Sequence, residues 1–203
     1  MVRSALIIHG SGRTEGSYSR LLVDEFLGLL AQSGTPKLVV RDLAVNPVPS
    51  LQPDSVEAIR ALQPDESLRS KAALSERLIG EIKEADLLII GAPMYNWGIP
   101  AALKAWIDQV VRIGYTLSYG AGGLEGMLGG KSAVVVLTRG GMYSKPETAH
   151  MDFQMPYLKL VLSQMGLKPT FVLCEGTLFG EETLRASLES ARSALREIAK
   201  LYT

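Results

Sequence analysis

The 203-residue chain has a single cysteine, Cys174, and only two histidines. One cysteine excludes a disulfide framework, and the sequence offers no spacing of cysteine and histidine that would build a zinc site. Cys174 closes the apolar run Phe171-Val172-Leu173, where a buried strand residue is expected. Charge of one sign is also missing, since 21 Lys and Arg balance 21 Asp and Glu. With no long-range field, neither nucleic acid nor an anionic lipid surface is expected as a partner. Long apolar runs are absent too. None approaches the ~18 residues of a membrane span, and Ala5 to Ile8 is too short for the ~7 to 15 residue core of a secretion signal. The expectation is therefore a cytoplasmic protein, without membrane association, whose 203 residues make one domain.

What is present is a regular alternation. Leu6 to Ile8, Lys37 to Val40, Leu87 to Ile90, Ala133 to Thr138 and Thr170 to Cys174 are short, mostly β-branched or leucine runs, and they read as five strands. Little polar alternation marks them, so they are expected to be parallel, central and covered on both faces. Apolar stripes at helical spacing lie between: Leu21, Leu22, Phe26, Leu29 and Leu30 closed by Gly34; Leu74, Leu78, Ile82 and Ala85; Leu103, Trp106, Ile107, Val110 and Val111 after Pro100; Pro156 to Met165; and Leu184 to Ile198. Trp106 belongs to such a stripe and is read as core. The order predicts a doubly wound α/β sheet with right-handed crossovers. Two stretches fall outside it: the proline-rich Asn46 to Pro53, and Tyr115 to Gly130, which holds six glycines. Excursions of this length commonly form walls or lids of sites.

Open parallel sheets bind ligands beyond the carboxyl ends of their strands. After the first strand comes His9-Gly10-Ser11-Gly12-Arg13-Thr14-Glu15-Gly16-Ser17-Tyr18-Ser19. Glycines, serine hydroxyls and a helix start suit an anion there. A P-loop would need a lysine that this segment lacks, and Gly10, Gly12 and Gly16 miss the dinucleotide fingerprint by one residue. Ser11, Ser17 and Ser19 offer hydroxyl donors, and those of Ser17 and Ser19, placed where a helix begins, fit a terminal phosphate monoester better than a pyrophosphate; FMN carries such a monoester. Asp42, at the end of the second strand, keeps a nicotinamide dehydrogenase without flavin as an alternative, since it is placed to serve a ribose. After the third strand, Tyr95 and Trp97 in Pro93-Met94-Tyr95-Asn96-Trp97-Gly98-Ile99-Pro100 offer faces for a planar ring, Asn96 offers amide hydrogen bonds, and two prolines stiffen the loop. After the fourth strand, the glycines of Thr138-Arg139-Gly140-Gly141-Met142-Tyr143 can aim backbone N–H groups at a ring edge.

These segments together resemble the FMN-dependent NADH-azoreductase family of flavodoxin-like quinone reductases. Pro93-Met94-Tyr95-Asn96-Trp97 is similar to that family's P-M-Y-N-F, Thr138-Arg139-Gly140-Gly141 to its S-R-G-G, and Ser17-Tyr18-Ser19 to its S-x-S. Arg41-Asp42-Leu43-Ala44-Val45-Asn46-Pro47 is similar to R-D-L-A-x-x-P, and Glu175-Gly176 to another family stretch. The resemblance implies a flavodoxin-like five-stranded sheet of order 2-1-3-4-5 with helices on both faces. It also implies an FMN site from Ser11, Ser17, Tyr18, Ser19, Pro93, Met94, Tyr95, Asn96, Trp97, Thr138, Arg139, Gly140 and Gly141, in a homodimer with substrate at the subunit boundary. The implied activity is two-electron reduction of a quinone, azo compound or nitroaromatic by NADH or NADPH in a ping-pong order, with Tyr119 and Tyr143 lining the open face. A flavodoxin-type electron carrier is a further alternative, though such carriers are usually strongly acidic. Departures concern the acceptor: Trp97 replaces Phe, Tyr143 stands where some members have His, and Gln164 where some have an aromatic. His9 and His150 are expected to be local packing residues, and Arg13, Arg41 and Arg139 either to contact a 2′-phosphate or to be solvated charges.

Overall fold

A computed structural model describes residues 2–61 and 65–202. The elements run β1 (Ser4–His9), α1 (Tyr18–Ala31), β2 (Lys37–Asp42), α2 (Pro53–Arg60), α3 (Glu66–Glu84), β3 (Leu87–Pro93), α4 (Ala101–Val110), β4 (Leu117–Gly120), β5 (Gly123–Gly126), β6 (Ser132–Thr138), α5 (Met155–Gln164), β7 (Lys168–Cys174) and α6 (Glu181–Ala199). The main sheet has the order β2-β1-β3-β6-β7, and every pairing in it is parallel. Counting these five strands alone, this is the expected 2-1-3-4-5.

Alternation along the strands divides the core. Ala5, Ile7, Leu87, Ile89, Val134 and Val136 pack with Leu22 and Phe26 of α1 and Leu195 of α6. Leu6, Ile8, Leu88 and Ile90 pack with Leu78 and Ile82 of α3, Leu103 and Trp106 of α4, and Leu158 and Leu162 of α5. Successive strand side chains point to opposite faces, so one set of strands feeds two apolar layers. Trp106 is fully buried there, and Cys174 is buried in the other layer.

The apolar run of β2 reads as central and covered by its composition, but the strand lies at the edge, where the 2-1-3-4-5 order puts it, with Leu38 and Val40 exposed. Only Val39, between them, packs on the α3–α5 layer. The two excursions also take form. Asn46 to Pro53 leads into α2, a helix the proline content hid. Tyr115 to Gly130 contains the antiparallel hairpin β4–β5, whose base is tied down where Met127 N–H donates to the Thr116 carbonyl and Leu128 N–H to that of Met165. Among the described residues no helix is long and apolar enough to cross a membrane.

Candidate functional site

Two close approaches bring the first loop against the third strand. A Cβ on Gly10 would stand 3.0 Å from the Gly91 carbonyl oxygen, and one on Gly91 would stand 3.3 Å from that of Ser19. Glycine at both positions lets the start of α1 settle over the ends of β1 and β3.

Ser17 occupies the N-cap position of α1, yet its side chain makes no capping bond. Its hydroxyl instead lies 3.2 Å from that of the buried Ser19. The first turn carries no acidic residue, so the N–H groups and positive dipole end of α1 are left to an outside anion. Ser11, also buried, accepts from Arg13 N–H at 3.2 Å. The loop is braced by Arg20, which donates to the carbonyls of Arg13 (2.7 Å) and Ser11 (3.0 Å) and to both oxygens of Asp42 (2.5 and 2.8 Å). Asp42 also accepts from the N–H groups of Ala44 and Val45, and the Arg20 hydrogen bonds lead in holding its carboxyl down at about 2. A ribose would have to compete with Arg20 for this carboxylate, which weakens the ground for the nicotinamide alternative. His9, beside Asp42 in the sheet register, is buried with Nδ1 unpartnered. Burial, and then the Arg20 charge, push its pKa below the usual imidazole value, so it stays neutral and packs. Arg41 is likewise engaged, by Glu81, whereas Arg13 has no ion pair among the described residues.

The third loop is a tight turn. Tyr95 N–H donates to the Gly98 carbonyl at 3.0 Å and Gly98 N–H returns a bond to Tyr95 at 3.1 Å. Between them Asn96 and Trp97 have φ of 47° and 65°, the positive values of a type I′ turn. A tryptophan in that region is an outlier and marks local strain. Met94 N–H donates to the Thr138 carbonyl at 2.8 Å, joining this loop to the next.

In the fourth loop every carbonyl from Arg139 to Gly141 is taken. Thr177 N–H bonds to that of Arg139, Leu178 N–H to that of Gly140, and Gly176 N–H to that of Gly141. In a trans peptide the N–H lies opposite the preceding carbonyl. The amides of Gly140, Gly141 and Met142 therefore point away from the 176–178 segment, and they have no acceptor among the described residues. Beneath them Arg139, 1% exposed, donates Nε to Gln154 (2.9 Å), one terminal nitrogen to Glu175 (2.8 Å) and the other to Asp152 (2.8 Å). Its guanidinium is thus neither a solvated charge nor free for a 2′-phosphate. Burial pushes the Glu175 carboxyl up, but hydrogen bonds from Ser144, Tyr143 N–H and Arg139 outweigh it and leave the pKa below the usual value.

A cleft of about 280 Å³ opens between these loops, walled by Ser11, Arg13, Gly16, Ser17, Tyr18, Pro93, Met94, Tyr95, Thr138, Arg139, Gly140, Thr177 and Leu178. Nine of the thirteen expected positions are in that wall. Ser19, Asn96, Trp97 and Gly141 stand beside it. Tyr119 sits 77% exposed on the hairpin, and the Tyr143 ring folds over Gly141, 3.1 Å from where a Cβ would be; neither lines the cleft. Sequence reasoning missed Gly16, Thr177 and Leu178 as wall residues and weighed Arg13 only for a 2′-phosphate. The rule that picked out the loops after the other strands applies equally to the loop after β7, which holds Thr177 and Leu178. Another hollow, of about 340 Å³, lies between α1 and α6, but three of its charged groups are already paired, Glu25 with Arg192 and Arg196 with Glu189.

A family described as having a flavodoxin-like fold matches residues 3–199. The FMN-dependent NADH:quinone oxidoreductase of Hyphomonas neptunium is 39% identical over 201 residues, covering 98% of this chain and 96% of that one. Its counterpart in Azotobacter vinelandii is 41% identical over 198 residues, covering 96% and 98%. Among solved structures, an azoreductase from Bacillus anthracis strain Sterne superposes with a TM-score of 0.84 at 25% identity, over 96% of this chain and 99% of that one.

Proposed function

The chain belongs to the flavodoxin-like family that includes FMN-dependent NADH:quinone oxidoreductases, and on that premise we propose that it binds FMN in this cleft and reduces quinones, azo compounds or nitroaromatics at the expense of NADH or NADPH. The observation that carries the reading is a set of donors that the helix and the loop leave over: a serine that leaves its own helix uncapped and meets only the neighbouring Ser19 hydroxyl, and amides at Gly140 and Gly141 whose neighbouring carbonyls are all held on the other side.

The residues fit the group. Ser11, Ser17 and Ser19, with Tyr18 N–H and the other amides at the start of α1, take the phosphate monoester, and the unpaired Arg13 adds a positive charge beside them. Pro93, Met94 and Tyr95, held in place by the Asn96-Trp97 turn, would hold the ring in the cleft. The Gly140 and Gly141 amides, turned outward by the bonds of the 139–141 carbonyls to residues 176–178 and flanked by Thr138 and Arg139, would serve the pyrimidine edge. FMN supplies the redox chemistry when bound, accepting hydride from the nicotinamide and passing two electrons to the acceptor. For the chain the task is to hold the ring and stabilise the negative charge that reduction adds. If these walls cover one face of the ring, donor and acceptor would share the other in turn, which is a ping-pong order.

Around the cleft, Trp97, Phe153, Leu178 and Phe179 are large apolar side chains left exposed. Such a grouping favours association, and it supports a homodimer of single FMN-binding domains with the acceptor site at the boundary and Tyr119 reaching across.

An absorbance spectrum of the purified protein tests the cofactor. Flavin bands that bleach with NADH and return with a quinone are expected; a colourless protein that takes up no FMN sinks the reading. Parallel double-reciprocal lines are expected when NADH and quinone are varied, whereas intersecting lines would replace the ping-pong order with a ternary complex.

A further inference from the structure

We propose that Arg139 is a positioning residue which, by fixing the Gly140 and Gly141 amides in advance, determines how much more tightly the protein holds reduced than oxidised FMN; this rests on the functional reading above. Arg139 gathers every element that meets behind the loop. Glu175 accepts from its guanidinium and also from Tyr143 N–H at 2.9 Å, so both ends of the 139–143 segment converge on one carboxylate. Asp152 accepts from Arg139 and from the N–H groups of Gln154 (2.9 Å) and Met155 (3.0 Å) at the start of α5. Gln154, fully buried, accepts from Arg139 Nε and donates to the Ala92 carbonyl at 2.9 Å, tying the end of β3 to the same group.

With the 139–141 carbonyls each bonded to 176–178, a flip of any of these peptides would break a bond across the two segments. The amides stand oriented before any charge arrives. Donors fixed in advance favour the state in which negative charge has developed over the neutral one, because no reorganisation is needed at that moment. Electrostatics alone predicts the opposite sign: one cation and two carboxylates leave the cluster at net −1, which disfavours added negative charge nearby. Any advantage for the reduced form therefore comes from amide direction, and a substitution that keeps charge but alters geometry separates the two effects.

The experiment measures the two-electron midpoint potential of FMN bound to wild type, Arg139→Lys and Gln154→Leu, by equilibration with a reference dye, alongside oxidised-FMN dissociation constants. Both substitutions preserve net charge, and Gln154→Leu provides the answer if Arg139→Lys does not fold. The expected result is a roughly ten-fold loss in the preference for the reduced form, a midpoint about 30 mV more negative, with oxidised FMN affected less. Ser17→Ala, acting on a phosphate whose charge does not change, is expected to leave the midpoint where it is. A midpoint unmoved in Arg139→Lys and Gln154→Leu while stability or FMN affinity falls would make Arg139 merely structural and overturn the proposal. Wild-type protein that binds no FMN would overturn the functional reading instead, and this inference with it.

Discussion

Two loops at one sheet edge are each braced by an arginine, and the braces work in different surroundings. Arg20 grips the first loop directly, through the Ser11 and Arg13 carbonyls, with Asp42 as its counter-ion. Their side chains are 12% and 21% exposed. Arg139 touches no carbonyl of its own loop. It gathers Asp152, Glu175 and Gln154 behind that loop, with side chains 1%, 6% and 10% exposed for Arg139, Asp152 and Glu175. Water reaches the first pair and screens it; it scarcely reaches the second. On the proposed reading the front brace holds a loop that receives a hydrated dianion, whereas the rear brace holds donors in a drier place where their direction counts for more.

The largest effect should come from cutting each brace. Arg139→Leu leaves two buried carboxylates without their cation and is expected to cost about 3 to 5 kcal/mol of apoprotein stability. Arg20→Leu, which leaves one partly solvated carboxylate, is expected to cost about 1 to 2 kcal/mol. Urea unfolding of the two variants checks this. Equal losses would mean that burial does not distinguish the two regions.

Next in size is Ser17→Ala, which asks whether the front loop is built for a ligand or for itself. A charge-assisted bond contributes roughly 1.5 to 3 kcal/mol, so FMN binding should weaken about ten-fold or more. Apoprotein stability should stay within about 0.5 kcal/mol, because the hydroxyl makes no cap to lose. An ordinary cap would cost ~1 kcal/mol. Calorimetric titration and thermal unfolding together decide it, and a destabilised variant with unchanged FMN affinity would make Ser17 an ordinary cap.

Much of this was legible from residues because it follows from periodicity and from one rule of parallel sheets. The apolar runs give the strands, and ligands bind where those strands end, so the loops at Ser17, Tyr95 and Gly140 could be named in advance. What periodicity cannot show is cover. Leu38 and Val40 read as buried because their run is apolar, but which strand sits at an edge depends on packing across the sheet. Nor can it show pairing: Arg139 looked like a surface charge or a ligand contact, because Asp152 and Glu175 lie 13 and 36 positions away in sequence. Thr177 and Leu178 were missed for a related reason. The strand-end rule also covers their loop after β7, but their ties to Arg139 and Gly140 run largely through backbone N–H groups, which leave little trace in side-chain identity.

Acid should expose the front brace at smaller amplitude. Hydrogen bonds from Arg20 hold the Asp42 carboxyl at about 2 against an ordinary value of 3.8. A depressed folded pKa gives stability that is present above the ordinary value and is lost as pH falls toward 2. Asp42→Asn is therefore expected to be less stable than wild type at pH 7, by about 1 to 2 kcal/mol, and to lose less on going from pH 4 to pH 2. Denaturant unfolding at several pH values measures this. A variant as acid-sensitive as wild type in that window would shift the burden to other carboxylates, Glu175 of the rear brace first among them.

The smallest effect concerns the turn between the braces, where Trp97 is held at φ 65°. Its carbonyl accepts from Phe153 N–H at 3.1 Å, one residue beyond Asp152, so the rear brace is adjacent to what keeps the strained turn closed. A left-handed conformation costs a bulky residue about 1 to 2 kcal/mol, and glycine adopts it freely. Glycine also gains roughly 0.5 to 1 kcal/mol of freedom in the unfolded chain, which offsets part of the relief. Trp97→Gly should therefore raise apoprotein stability by a net of under about 1 kcal/mol, visible as a small rise in Tm. In an Arg139→Lys background the gain should shrink, since a loosened rear brace lets the tryptophan relax by itself. A fall in stability for Trp97→Gly would show that packing of the indole, half exposed as it is, outweighs the strain, and that the turn is held by its side chain rather than by the residues behind it.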